Sequence, residues 1–566
     1  MKKFTLSIII LAFGLFFGLN LKSQNSNLAN IDAFIENQMQ LQKKPGLAAV
    51  IIKGDSLVWS GNYGFAILAD SLIGFQMPVR DTTLFNAFSI GKSLTASCVM
   101  QLWEEGLLGL DQDINDFLPF QICNPHVAND SVTARMLMSH TSSIIDYNMY
   151  NYMVTGDPAE SLESFLSNYL SPGSYYHPNN FLSHPPGSYY SYSNFGSGLN
   201  GYLVEPLTGL LFKDYARDNL LTPLEMYRSA WFLNELNIDN LAIGYDWVGG
   251  NYQPNPHYGG AAYPGVFLRS NVFELANFLV MLMNGGSFNG VQLLNPATID
   301  SMMTLQPNAP NTGLGLNKYF TWNYHNTIQR ITWGHNGGGT LGYAGYIRFC
   351  PADNTGVVIL SNSSGWPLDI LRRLFDYAAM FVIAENASDT THCSFMASWK
   401  EAPDATHFFL DLAFDENFSL LVPGFENFNV GNQLSYEITD LAENTDYWYR
   451  LRAVNVHDTG AYSNPVSVKT LMGTGTGRIA ASMKDLQIHP NPVSDFVNIE
   501  FNLPQTSLVS IQIFNAMGAK VAELHQGQLP AGKHQFTWHA GDLPKGMYLC
   551  RVLAGEEIRT LKIVKY

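Results

Sequence analysis

Two residues of this sequence, Ser89 and Lys92, have the types and the spacing that acyl transfer needs. Three positions make nearly one helical turn, so the two side chains would share one face of a helix. Serine is a weak nucleophile until a base takes its proton, and lysine can be that base once burial or a neighbouring cation lowers its pKa towards neutrality. The pair therefore predicts a serine nucleophile with its own base.

The sequence around the pair favours this chemistry over a structural role. The stretch from Phe85 to Ala96 has the pattern of a helix start, where unpaired backbone N–H groups can stabilise the oxyanion of a tetrahedral intermediate. The alternative is a structural role, in which Ser89 caps the helix and Lys92 is solvated. The spacing alone does not exclude this role, because both residue types are common. The chain contains one Ser-x-x-Lys, and an apolar helix predicted from Leu94 to Leu107 follows it.

Such a site also needs an acid/base that protonates the leaving group. The candidate is Tyr192 in the pattern Tyr-x-Asn, which also supplies Asn194. The pattern is weak, because it recurs at Tyr324 and Tyr462. Tyr462 falls in a region predicted to be a separate β-sandwich, and Tyr324 lies between the second and third groups of the site, so we favour Tyr192.

A third group must lie on a strand across the cleft and supply an oxyanion donor and a substrate contact. The candidate is His335 in the pattern His-x-Gly, completed by Gly337 and followed by Gly338. This pattern is weaker still and recurs at His257, His525 and His539. His140 is also tempting, but its place at a helix-to-loop junction predicts a packed structural histidine.

Composition limits the class of protein. The 566 residues predict three or four folded units, and the net charge of -16 argues against nucleic-acid binding because no basic stripe offers a phosphate footprint. The five cysteines are scattered without a Cys-x-x-Cys, and the histidines lack metal-ligand spacing. We therefore expect no metal, no cofactor and no disulfide framework.

The N-terminus resembles a secretory signal. Two lysines precede the apolar run from Phe4 to Leu19, and small or polar residues follow it up to Ser23. The alternative is a membrane anchor, for which the run is slightly short. We expect cleavage near Ser23, and no later stretch is apolar and long enough to span a bilayer.

Hydrophobic patterning up to about residue 388 alternates between helices and strands, which predicts an α+β domain. The region from Asp146 to Tyr190 is rich in Tyr, Pro, Gly, Ser and Asn, and could be either the rim of a substrate cleft or a surface insertion. The hydrophobic pattern changes after residue 388. Short alternating runs from Cys393 to Thr470 predict a β-sandwich, a Gly-Thr linker follows, and the pattern from Ile488 to Tyr566 predicts strands throughout.

The first domain resembles the serine β-lactamase-like hydrolases, which include class C β-lactamases, D-Ala-D-Ala carboxypeptidases and related esterases. Their three elements are Ser-x-x-Lys, Tyr-x-Asn, and Lys-Thr-Gly or His-x-Gly. The resemblance runs from about Pro45 to Ser363, and its further signs are Pro45-Gly46-Leu47, Gly61-Asn62-Tyr63-Gly64, Leu137 to Ser142, Pro186-Gly187, Gly259-Gly260 and Leu360-Ser361-Asn362. It implies an antiparallel sheet flanked by helices, with a separate helical region.

The resemblance also implies roles for the site residues. Ser89 would be the acylated nucleophile and Lys92 the group that takes its proton, while Tyr192 would act as general base and then protonate the leaving group. The backbone N–H groups of Ser89 and Gly338 would form the oxyanion hole. Asn194, His335 and Gly337 would contact substrate. His335 stands where β-lactamases have lysine, which weakens the case for β-lactam hydrolysis because histidine is a cation only when protonated.

The rest of the chain resembles two other families. Trp399 and the run Leu441 to Ala453, with Tyr447 at a tyrosine corner, are similar to a fibronectin type III domain. The last segment, with Pro490-Asn491-Pro492, Ile511 to Gly518 and Leu543 to Tyr548, resembles a type IX secretion C-terminal sorting domain. The predicted units are a signal peptide (1–23), the hydrolase domain (24–388), the fibronectin-like domain (389–472), a linker (473–487) and the sorting domain (488–566).

The sequence thus predicts an enzyme secreted or held at the cell surface, with the type IX machinery as a partner and a small-molecule or peptide substrate. The first choice is an esterase or D-peptidase, because peptidoglycan would lie behind an enzyme exported beyond the outer membrane. The alternatives are a β-lactamase or penicillin-binding carboxypeptidase, and a non-catalytic surface binding protein on the same scaffold.

Overall fold

The structure is a computed structural model that describes residues 28–69, 74–127, 131–402, 404–456, 459–472, 483–555 and 557–566. The predicted signal peptide and the Gly-Thr linker lie outside the described residues. Within the described ranges no helix is both long and apolar enough to cross a membrane.

The first unit contains ten α-helices and fifteen strands among the described residues. The helices are α1 Leu28–Leu41, α2 Gly91–Glu104, α3 Ala134–Met138, α4 Leu162–Leu170, α5 Asn194–Tyr202, α6 Val204–Thr208, α7 Phe212–Ala216, α8 Val272–Met283, α9 Pro296–Met302 and α10 Leu368–Ala379. The strands are β1 Gly46–Lys53, β2 Ser56–Ile67, β3 Met77–Pro78, β4 Phe85–Phe88, β5 Val154–Thr155, β6 Tyr245–Val248, β7 Asn251–Pro254, β8 Tyr258–Gly259, β9 Leu268–Ser270, β10 Ser287–Phe288, β11 Val291–Gln292, β12 Asn317–Trp322, β13 Gln329–Thr340, β14 Tyr343–Cys350 and β15 Thr355–Ser361.

An antiparallel sheet in the order β12-β13-β14-β15-β1-β2-β3 forms the centre of this unit. Strand β1 is apolar up to Ile52, and its alternate residues face opposite sides. Ala48, Val50 and Ile52 pack into the core that includes α2 and α8, whereas Leu47, Ala49 and Ile51 pack into the core that includes α1 and α10. Helices therefore cover both faces of the sheet, which confirms the predicted α+β architecture.

The predicted elements compare well with the structure, with one omission. The first helix, the β1–β2 hairpin, the helix capped by Asn271 and the C-terminal helix all form, with ends shifted by a few residues. The helix predicted from Leu94 to Leu107 forms as α2, with its bounds shifted to Gly91–Glu104. The region 146–190, predicted to be loop, contains α4, whose N-cap Ser161 accepts a hydrogen bond from the backbone N–H of Ser164 at 3.1 Å. Its buried face, with Phe165, Leu166 and Tyr169, packs into the core beside α2 and α8.

Two β-sandwiches follow, as the alternating patterns predict. The first has strands β16 Ala384–Ser388, β17 Phe395–Trp399, β18 His407–Ala413, β19 Phe428–Gly431, β20 Ser435–Ile438, β21 Asp446–Val454 and β22 Val466–Lys469. The second has β23 Lys484–His489, β24 Phe496–Leu503, β25 Ser507–Asn515, β26 Lys520–Leu529, β27 Gly532–His539, β28 Gly546–Ala554 and β29 Glu557–Lys565. Each consists of a three-stranded and a four-stranded sheet.

Each sandwich includes one strand that begins before its predicted first residue, and the domain boundaries stay a prediction. Strand β16 pairs with β17, so the first sandwich begins before residue 389, and β23 pairs with β24, so the second begins inside the predicted linker. Both strands are short and partly polar, which hides them in the sequence pattern. In the first sandwich the Tyr447 hydroxyl accepts a hydrogen bond from the backbone N–H of Ala442 at 3.0 Å, the geometry of a tyrosine corner. The fibronectin type III assignment stays a prediction.

Arg330 on β13 links the first unit to the sandwich through a buried ion cluster. Its guanidinium lies 3.6 Å from Asp353, 3.4 Å from Asp376 on α10 and 2.7 Å from Asp404 in the sandwich. The Arg330 side chain is only 7% exposed, so removing the cation would leave three carboxylates in a poorly solvated place.

We therefore expect Arg330→Met to lower the free energy of unfolding by about 3–5 kcal/mol. The matched control is Arg217→Met, because Arg217 pairs with Asp214 and Asp218 at an exposed site where ion pairs contribute only about 0–1 kcal/mol. Urea denaturation followed by tryptophan fluorescence measures both changes. Equal stability losses in the two variants would contradict a special role for the cluster.

Candidate active site

Ser89 lies in a tight turn between β4 and α2. Helix α2 begins at Gly91, so Ser89 precedes the helix by two residues and does not cap it; the residue at the N-cap is Ile90, which makes no side-chain cap. Phe88 has a φ of +46°, a left-handed conformation that costs a bulky residue about 1–2 kcal/mol. Its backbone N–H donates to Asn86 Oδ1 at 3.0 Å, which helps hold the turn. Strain of this kind is typical of functional sites.

Lys92, in the first turn of α2, points its amine at Ser89. Nζ lies 3.0 Å from Ser89 Oγ, 2.6 Å from Asn194 Oδ1 and 2.5 Å from the carbonyl oxygen of Gly265. The residue is 4% exposed, and burial lowers the pKa of its amine to about 7, against a smaller opposing effect of the Asp146 charge. A large fraction of Lys92 is therefore uncharged at neutral pH and able to accept a proton.

Tyr192 lines the same cleft as Ser89, the Ser89 side chain lowers the pKa of its phenol against the effect of burial, and Lys92 Nζ lies 4.8 Å from the ring centroid. Although 37% of the residue is exposed, the hydroxyl faces the site, and burial raises the pKa of the phenol above its usual value. The phenol is therefore protonated at neutral pH and can act as a proton donor.

Strand β13 brings His335, Gly337 and Gly338 to the far side of the serine. A Cβ on Gly337 would lie 1.9 Å from the carbonyl oxygen of Ala87, so only glycine lets this strand come so close to β4. Gly338 has a φ of +85° and lines the same cleft as Ser89. The close approach brings this part of β13 next to Ala87, two residues before Ser89.

His335 is a neutral group in this structure. Its Nδ1 lies 2.6 Å from the carbonyl oxygen of Asn336, and because a carbonyl can only accept, Nδ1 carries the proton and Nε2 is left as an acceptor. Burial first, and then the charge of Lys92, lower the pKa of His335 to about 3. The imidazole therefore does not supply a positive charge at neutral pH.

The alternative candidates lie elsewhere. Tyr324 packs edge-on against Phe34 at 4.9 Å, and Tyr462 lies 3.5 Å from the Arg450 guanidinium in the sandwich. His257 lines a separate cavity, and His525 and His539 belong to the C-terminal sandwich.

His140, predicted to be structural, is buried and lies beside Tyr192. Its ring centroid is 4.3 Å from that of Tyr192, and its Nδ1 accepts a hydrogen bond from the backbone N–H of Ser193 at 3.3 Å.

Sequence reasoning missed the role of Asp146, which lies behind the site at the start of α5. Its carboxylate accepts hydrogen bonds from the start of α5, including one from the backbone N–H of Asn194 at 2.8 Å. A signal for it did exist: a helix N-terminus needs acceptors for its free N–H groups, and the first turn of α5 has no acidic residue of its own. The Ser193 side chain caps the N–H of Gly196, and Asp146 supplies acceptors for the N–H groups of Asn194 and Phe195 from a distant segment.

A cleft of about 420 Å³ opens in front of Ser89. Tyr190 lines it, so the predicted aromatic region contributes to the rim, but much of the wall comes from residues that the motifs did not indicate. These further residues are Pro310, Asn311, Thr312, Asn317, Lys318, Tyr319, Asn336 and Trp366. Among the described residues no group of three His, Cys, Asp or Glu side chains is arranged to hold a metal ion.

Comparisons with known proteins agree with this geometry. The family model described as Beta-lactamase matches residues 31–379, and that described as Secretion system C-terminal sorting domain matches residues 487–566. The chain is 23% identical over 341 residues to Protein flp of Staphylococcus aureus (strain MRSA252), covering 60% of this chain and 63% of that protein, which is less than two thirds of its length.

Two further relatives were found. Over 158 residues the chain is 33% identical to Penicillin-binding protein 4 of Amycolatopsis lactamdurans, covering 28% of this chain and 38% of the relative. The solved structure of an octameric penicillin-binding protein homologue from Pyrococcus abyssi matches 94% of this chain and 100% of its own, with a TM-score of 0.51 and 18% identity. That likeness shows the fold alone.

Proposed function

The chain belongs to the Beta-lactamase family, and from this premise we propose that it is a hydrolase that cleaves esters or amides through an acyl-enzyme on Ser89. The family fold is that of serine hydrolases and penicillin-binding proteins. The type IX sorting domain at the C-terminus indicates export to the cell surface or beyond. The enzyme therefore meets substrates outside the cell.

One observation carries the proposal: the buried amine of Lys92, whose pKa burial lowers to about 7, lies 3.0 Å from the hydroxyl of Ser89. Lys92 takes the proton of Ser89 as Oγ attacks the substrate carbonyl, and the backbone N–H groups of Ser89 and Gly338 stabilise the oxyanion. Tyr192 donates its proton to the leaving group and regains one from Lys92. Water then attacks the acyl-enzyme, releases the acid and restores the serine.

The raised pKa of Tyr192 changes one predicted role. The resemblance implies that Tyr192 acts first as a general base, but a phenol whose pKa lies above its usual value resists losing its proton. Lys92, with a pKa of about 7, suits that step better. We therefore assign the base to Lys92 and the leaving-group acid to Tyr192.

This assignment predicts how activity depends on pH. Below the Lys92 pKa of about 7 the amine is an ammonium and cannot take a proton; above it the amine is neutral. We expect kcat/KM to rise with pH through a midpoint near that value. Stopped-flow or plate assays at constant ionic strength measure the profile. A rise delayed to the range of an unperturbed lysine, about 10.4, would contradict the assignment.

Ester or neutral amide substrates fit the cleft best. His335, neutral at working pH, cannot hold a substrate carboxylate as the lysine of a β-lactamase does. The second candidate, a substrate bearing a carboxylate such as a β-lactam or a D-alanyl peptide, is favoured by Lys318, a cation that lines the cleft.

A substrate panel tests the choice. We expect turnover of p-nitrophenyl esters to exceed that of D-alanyl peptides and nitrocefin, and Ser89→Ala to abolish all of it. Lys318→Gln is the discriminating variant: under the first candidate it leaves ester turnover unchanged, and under the second it lowers turnover of the carboxylate-bearing substrates. The absence of any Ser89-dependent turnover would favour the non-catalytic binding protein.

A further inference from the structure

Asp146, in the segment between α3 and α4, has both carboxylate oxygens fully engaged at the start of α5. Oδ1 accepts from the Ser193 hydroxyl at 3.0 Å and from the backbone N–H of Phe195 at 2.9 Å. Oδ2 accepts from the backbone N–H and from the side-chain Nδ2 of Asn194, both at 2.8 Å. A carboxylate is the side chain that can accept from several donors at once while donating to none.

These bonds determine which way the Asn194 amide points. Because Nδ2 donates to Asp146, the amide oxygen must face the opposite way, and Oδ1 lies 2.6 Å from Lys92 Nζ. A flipped amide would place Oδ1 against the carboxylate and Nδ2 against the amine, and so lose both bonds. The orientation of Asn194 thus depends on Asp146.

We propose that Asp146 is a positioning residue for acyl transfer, acting through Asn194 on the amine of Lys92 and through Ser193 on Tyr192. The inference rests on the proposed function, because it concerns the same site. Asp146 is not among the residues that line the cleft, and its hydrogen bonds go to Ser193, Asn194 and Phe195. It orients the side-chain amide of Asn194, binds the N–H groups at the start of α5 and places a negative charge near Lys92.

The charge of Asp146 acts on Lys92 as well. Four titratable groups surround the amine: Asp146 before α5, Tyr192 beside it, His140 after α3 and His335 on β13. Burial and the charge of Lys92 lower the pKa of both histidines, to about 3 for His335, so neither becomes charged near neutrality. Arg348, which acts on His335, stays cationic over the same range, because burial lowers its pKa only to about 10. The Asp146 charge opposes burial and raises the pKa of Lys92.

The variant Asp146→Asn keeps the shape and removes the charge. We expect kcat/KM at its plateau to fall by about 10- to 100-fold, the range for losing hydrogen bonds to a charged group. Without the negative charge the ammonium of Lys92 is less stable, so the midpoint of the pH profile moves below its wild-type value. Asp146→Glu, which keeps the charge, restores the midpoint.

The matched control is Asp157→Asn. Asp157 likewise accepts two backbone N–H groups, from Leu233 at 2.7 Å and Asn234 at 3.0 Å, at a different place in the fold. We expect this variant to leave both the plateau and the midpoint unchanged. An equal loss in Asp157→Asn would mean that any such carboxylate only stabilises the fold.

Two measurements test the role of Asp146 separately from the proposed function. The first is a double-mutant cycle that combines an Asp146 variant with Asn194→Ala. Combined losses of kcat/KM smaller than the sum of the single losses support action through Asn194, and fully additive losses overturn it.

The second measurement is the Lys92 pKa, determined without substrate by NMR of ¹³C-labelled lysine. A lower value in Asp146→Asn supports the proposal even if the enzyme turned over none of the test substrates, and an unchanged value overturns it. If the Asp146→Asn protein does not fold, Asp146→Ser replaces it in both measurements.

Discussion

Replacing Lys92 by methionine should lower the rate of Ser89 acylation by about 10²- to 10⁴-fold, the usual contribution of a positioned base. Methionine is similar in length to the buried lysine side chain. It has no amine, so it cannot take the proton of the Ser89 hydroxyl, which Lys92 Nζ does from 3.0 Å away. Because Lys92 is 4% exposed and its charge is already disfavoured by burial, an apolar replacement is tolerated by the fold. The measurement is the second-order rate of inactivation by a fluorophosphonate.

The matched control is Lys44→Met. Lys44 is also 4% exposed, burial lowers its pKa to about 8, and its amine bonds to the carbonyl oxygen of Gly365 at 2.7 Å. It therefore shares the burial of Lys92 but not its contact with Ser89. We expect Lys44→Met to react at the wild-type rate. A Lys92→Met protein that still reacted at that rate would show that the proton leaves Ser89 by another route.

The second large effect is expected for Gly337→Ala. The new Cβ would lie 1.9 Å from the Ala87 carbonyl oxygen, a contact between two backbone segments that no side-chain rotation can relieve. Strand β13 must therefore move away from β4, and the N–H of Gly338 moves with it. Loss of an oxyanion donor lowers kcat by about 10²- to 10³-fold.

Gly527→Ala is the control for a glycine in a strand, because its Cβ would meet only the His525 ring, at 3.6 Å and beyond. It should leave turnover and melting temperature unchanged. For Gly337→Ala, circular dichroism first establishes that the protein is folded, and turnover is then compared at saturating ester. Normal kcat in a folded Gly337→Ala protein would contradict the position assigned to the oxyanion hole.

Much of the fold could be predicted because its signals are local. Strand β1 is a continuous apolar run, Asn271 caps α8 with a side-chain bond to the N–H of Glu274 at 2.9 Å, and glycines follow that helix. The alternating patterns beyond residue 388 likewise predicted two β-sandwiches. Strands β16 and β23 were missed because a short, partly polar strand is recognised only by its partner.

The site was predicted unevenly for a similar reason. Ser89 and Lys92 share one turn, so their spacing alone implies contact, whereas Tyr192 and His335 come from distant segments and were chosen with the help of a family resemblance. Asp146 was missed because its role depends on where α5 begins in space. The neutral state of His335 could not be predicted either, since it follows from burial and from the charge of Lys92.

The most direct test is the intact mass of the purified protein after treatment with a fluorophosphonate, followed by peptide mapping. The account predicts one adduct per chain, on the peptide that contains Ser89, and no adduct on the Ser89→Ala variant. No adduct on the wild-type protein, or equal labelling of the Ser89→Ala variant, would contradict a serine nucleophile at this position.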